Sequence, residues 1–62
     1  MHLLRRIEIY LRRTNMPPAR FGRDAVGDPS FVLDLRNGRE PRQTTVARVQ
    51  GWLDRREGES GV

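Results

Sequence analysis

Helix-stopping residues recur at short intervals along this chain, and they leave room only for short elements. Asn15 is followed by Pro17-Pro18, Gly27 by Asp28-Pro29, and Asn37-Gly38 by Pro41. Proline inside a helix removes a hydrogen bond and collides with the preceding turn. Glycine and asparagine readily take the left-handed conformation that closes a helix. Between these breaks the apolar residues recur at helical spacing, and no strand-like alternation or internal repeat interrupts them. An all-α fold of four short helices with tight connections is therefore expected.

Residues 3–14, LLRRIEIYLRRT, read as the first helix. Leu4, Ile7 and Leu11 form its stripe, with Leu3 and Tyr10 on the shoulders. Ile9 falls outside the stripe, as do Arg5, Arg6, Arg12 and Arg13, which are expected on a solvated face. Glu8 stands four residues before Arg12, a favourable helix pair. PPARFGRDAV, 17–26, reads as a second helix, because proline is tolerated in a first turn. Phe21 and Ala25 would face the core. Gly22 is poor for helix propensity, so its expected use is close approach of another helix.

The stretch 28–37 reads as a third helix, with Asp28 as N-cap, Pro29 at the first helical position and Asn37-Gly38 as the stop. Val32 and Leu35 would point inward, with Phe31 adjacent. A basic loop, REPRQ at 39–43, leads to a fourth helix over about 43–56. Thr44 or Thr45 would cap it, and Val46, Val49 and Leu53 would form its stripe, with Trp52 extending the apolar face. One domain over 1–56 with a disordered tail at 57–62 is the expected organisation.

Size and composition narrow the function. A chain of 62 residues buries only about 60% of its unfolded surface, so its core is one small cluster. There are no cysteines, which removes disulfides and thiolate metal sites. No apolar run reaches the roughly 20 residues of a membrane span, and a cytoplasmic protein is the default expectation. The twelve basic residues are all arginine, against eight acidic ones, a net charge of +4. Arginine in place of lysine matches a GC-rich genome, yet the excess positive charge still favours an anionic partner.

Catalytic chemistry has little to work with. The one histidine, His2, adjoins the first residue, and the carboxylates are scattered. Ser30 and Ser60 have no histidine partner to activate them, and no phosphate-binding glycine loop is present. Neither an enzyme nor a cofactor or metal protein is expected.

The binding pattern is richer. The second and third helices, joined at Gly27, make a helix-turn-helix pair, in which the start of the second member meets base edges in the major groove. Residues 16–53 resemble the phage repressor/Cro-like (Xre-type) helix-turn-helix family. Phe21-Gly22 falls at that family's Leu-Ala position and Val32 and Leu35 at its inward positions. Gly38-Arg39-Glu40-Pro41 falls at the loop before its last helix, and Val46, Val49 and Leu53 on that helix. RFGRDAVGDPSFVLDLRNGREPR also looks like very small regulators of GC-rich bacteria. Two departures stand out. Pro17 and Pro18 occupy the places of a Ser/Thr-Gln pair whose glutamine braces a phosphate, and the turn reads Val26-Gly27-Asp28.

Carried over residue by residue, the resemblance implies base contacts from Pro29, Ser30, Leu33 and Asp34. Ser30 is the best hydrogen-bonding candidate, and an outward Leu33 would meet a thymine methyl group. Asp34 would repel phosphate unless it accepts from a cytosine amino group or pairs with an arginine. Phosphate contacts are implied for Arg20, Arg23, Arg36, Asn37, Arg39, Arg42 and Gln43. The expected partner is double-stranded DNA, bound as a homodimer or with a partner protein. The alternative is a helical protein-interaction module on the same fold, in which Ile9, Leu33 and Trp52 would form one apolar patch.

Overall fold

The structure, a computed structural model, describes residues 2–60, and the side chains of residues 2–57. It is all-helical. The elements in chain order are α1 (Leu3–Thr14), α2 (Pro18–Val26), α3 (Phe31–Arg36) and α4 (Gln43–Ser60), with no strand among the described residues.

The breaks act as their residue types dictate. Asn15 closes α1 at φ 59°, and the Met16 N–H donates back to the Leu11 carbonyl at 3.1 Å. Gly27 closes α2 at φ 72°, and the Asp28 N–H donates to the Gly22 carbonyl at 3.1 Å. At the end of α3 the Arg39 N–H donates to the Asp34 carbonyl and the Gly38 N–H to that of Leu35, with Gly38 at φ 92°. This paired closure is the Schellman arrangement, which satisfies carbonyls that a helix end leaves open.

The core is one cluster drawn from all four helices: Ile7 and Leu11 of α1, Phe21 and Ala25 of α2, Phe31 and Val32 of α3, and Val49, Trp52 and Leu53 of α4. Tyr10, Phe21 and Trp52 meet within it. The Phe21 and Trp52 rings are 5.1 Å apart and nearly edge-on, and Tyr10 lies 5.5 Å from Trp52 at 79°. Edge-to-face contact brings the positive rim of one ring to the negative face of the next, so one aromatic group ties α1, α2 and α4 together. Trp52 is buried, and the apolar patch expected to include it does not form.

Four expectations need correction. First, α3 begins at Phe31 rather than at 28. The Phe31 N–H closes on the Asp28 carbonyl three residues back, and Ser30 sits at φ −93°, ψ 5°. Asp28 and Pro29 therefore form a turn that leads into the helix. Second, α4 runs to Ser60, four residues beyond 56, so the expected tail from 57 is mostly helix; residues 61–62 lie outside the described part. Third, α4 starts at Gln43, before both threonines, and the Val46 N–H is received by the Arg42 carbonyl. Fourth, Arg6 is not on a solvated face. It reaches from α1 to the Gln50 amide and to Asp54 and Glu57 of α4, and the two carboxylates raise its pKa, Asp54 foremost.

Candidate nucleic-acid interface

The positioning of α3 depends on Gly22. A Cβ atom there would run into the Asp28 carbonyl oxygen and would lie 3.2 Å from the Cβ of Phe31. Only a residue without a side chain lets α2 approach the turn and the first residue of α3 this closely. Phe31 and Val32 then pack into the core, Leu35 is half-buried, and the opposite face is open. Helical spacing puts Ser30, Leu33 and Asn37 on that open face, with Asp34 beside Leu33. Leu33 is 54% exposed.

The polar groups around this face are already occupied within the chain. The Ser30 backbone N–H and hydroxyl both donate to Asp28 Oδ1, at 3.0 and 2.8 Å. The Ser30 hydroxyl, followed by its N–H, holds the Asp28 carboxyl below the usual carboxylate range. Arg36 grips Glu8 of α1 with two hydrogen bonds of 2.7 Å, through Nε and Nη2. That pairing lowers the Glu8 pKa and raises that of Arg36. Arg12, the expected helix partner of Glu8, contributes only a lesser Coulombic pull, because the planar Arg36 guanidinium meets both carboxylate oxygens at once. Arg39 donates to Asp34 at 3.0 Å, and Arg20 lies 3.6 Å from Asp24.

The sequence-derived contact residues thus divide. Pro29, Ser30, Leu33 and Asp34 come together at and beside the open face. Asn37 and Gln43 are exposed near the two ends of the loop after α3. Of the five arginines, Arg20, Arg36 and Arg39 are engaged with carboxylates. Arg23 and Arg42 make no ion pair or side-chain hydrogen bond among the described residues. Arg23 is in the last turn of α2, and Arg42 lines a recess of about 340 Å³ beside α3 that also receives Asp28, Phe31, Asp34 and Glu40. The recess holds more carboxylates than guanidinium groups, so its interior is no anion site.

The long-range pairs Glu8–Arg36 and Arg6–Asp54 had no local signal in the sequence, whereas the cation–π contact of Arg56 with Trp52 (4.8 Å to the ring centroid) follows i, i+4 helical spacing. The two ion pairs join residues far apart in the sequence. Among the described residues no cluster of His, Asp and Glu is arranged to hold a metal, and no helix is long and apolar enough to cross a membrane. Comparison with protein-family models, curated proteins and solved structures found no match.

Proposed function

We propose that this chain is a small DNA-binding, regulator-like protein that presents α3 and its lead-in turn to the major groove. The observation that carries the proposal is the seating of α3. A short helix, brought against α2 at a side-chain-free glycine and closed by Gly38, turns an exposed face with Leu33 outward. In a helix-turn-helix the second helix needs this projection to reach base edges. Net charge of +4 supplies the long-range attraction.

The ion pairs of Arg36 and Arg39 are compatible with such binding. Their side chains are 41% and 73% exposed, and an exposed pair held by a single hydrogen bond, as Arg39–Asp34 is, holds little free energy. Arg39 can exchange its carboxylate for a phosphate at small cost, whereas the two-bond grip of Arg36 on Glu8 costs more to release. A chain this short covers few base pairs, so useful specificity calls for a two-fold dimer on half-sites about one helical turn apart, or for a partner protein.

Salt dependence tests the proposal. Each phosphate neutralised releases counterion, so log affinity falls against log salt with a slope of about −0.9 per phosphate. Fluorescence anisotropy on a short labelled duplex should give a negative slope. Arg42→Ala should reduce its magnitude by about one, whereas Arg13→Ala, on the outer side of α1, should leave it unchanged. Affinity that is flat from low to high salt would rule this reading out. The second reading, a protein-interaction module, retains two exposed large apolar residues, Ile9 and Leu33, in its favour.

A further inference from the structure

The arginine-rich composition points at first to guanine. Guanine shows the major groove two acceptors, N7 and O6, and an arginine fork matches them. Arg36 gives one guanidinium edge, Nε and Nη2, to Glu8, Arg39 gives one Nη1 hydrogen to Asp34, and the Ser30 hydroxyl hydrogen is directed to Asp28, so none of Ser30, Leu33 and Asp34 brings a free donor to the face itself. The open face is left with the Ser30 oxygen as an acceptor, the acceptor-only carboxylate of Asp34, and the apolar Leu33. Asn37, one turn beyond Leu33, is the side chain whose amide pairs in bidentate fashion with adenine.

We infer that the open face of α3 reads a thymine·adenine pair, with Leu33 against the thymine C5-methyl group and the Ser30 oxygen accepting from the adenine amino group. The inference rests on α3 being the major-groove element, and it names the bases that element selects. A thymine·adenine pair offers a methyl group and an amino donor on one edge, the complement of an apolar side chain beside an acceptor. The cytosine amino group satisfies the same acceptor, so the methyl contact is what separates the two pairs. Leu33 is suited to that contact because it stands outside the core cluster with 54% of its surface exposed.

The test starts by selecting bound duplexes from a pool of random sequence. Thymines of the selected duplex are then replaced one at a time by deoxyuridine, which removes only the methyl group. At one position this should weaken binding about fourfold, the worth of one methyl group removed from water. The same replacement should have no effect on the Leu33→Ala variant, whose change lies outside the core. A selected site centred on guanine, a pool with no sequence enrichment, or a deoxyuridine effect that is equal in both proteins would overturn the inference while leaving DNA binding intact. Absence of any salt-sensitive binding to the pool would overturn the major-groove reading itself, and this inference with it.

Discussion

A methyl group on Gly22 would meet the Asp28 carbonyl oxygen, a backbone atom that cannot swing aside as a side-chain end can. Relief would require α2 to move away from the turn that aims α3. Gly22→Ala should therefore lower the unfolding free energy by about 1–3 kcal/mol, the usual cost of overpacking, despite the better helix propensity of alanine. Chemical denaturation of the two proteins measures this, and an unchanged or higher stability would refute the close approach. The position was legible in the sequence because a glycine within a helical stripe needs a packing reason. Its contact was not, since that depends on how the chain turns at 27–30. Ser30 carries a similar lesson. Its type marked it as a hydrogen-bonding candidate, but only the structure shows its hydroxyl hydrogen committed to Asp28.

At the scale of elements, the stops were the clearest signals. Asn15, Gly27 and Gly38 each adopt positive φ where their residue types implied a helix end. Starts were less legible. Asp28-Pro29 begins a turn instead of a helix, because the Asp28 side chain and carbonyl both take N–H groups before α-helical bonding starts at Ser30. The length of α4 was also underestimated. Gly58 and the polar residues around it lower helix propensity, yet the element continues to Ser60. Two glycines separate these effects experimentally. Gly38 needs its left-handed geometry, so Gly38→Ala should cost about 1–2 kcal/mol. Gly51 is helical, and a Cβ there would meet nothing within 4 Å, so Gly51→Ala should gain about 1 kcal/mol. Thermal melts of the pair should shift in opposite directions, and a shift in the same direction would contradict the assigned conformations.

At the scale of the whole molecule, one small core orients four helices. The apolar stripes made most of the core legible in advance, since their period decides which side chains turn inward. The ion pairs were not legible: Glu8 finds Arg36 and Arg6 finds Asp54 only because α1 lies against both α3 and α4. Under the proposed DNA-binding function, these pairs determine which arginines are immediately available to phosphate. The central claim, that α3 and its flanks meet DNA, is tested most directly by an amide-resolved NMR titration with a short random-sequence duplex at two salt concentrations. Salt-sensitive shifts concentrated at residues 28–43 and near Arg23 are predicted. A folded protein whose amides do not move at low salt, or move only along the outer faces of α1 and α4, would contradict the claim.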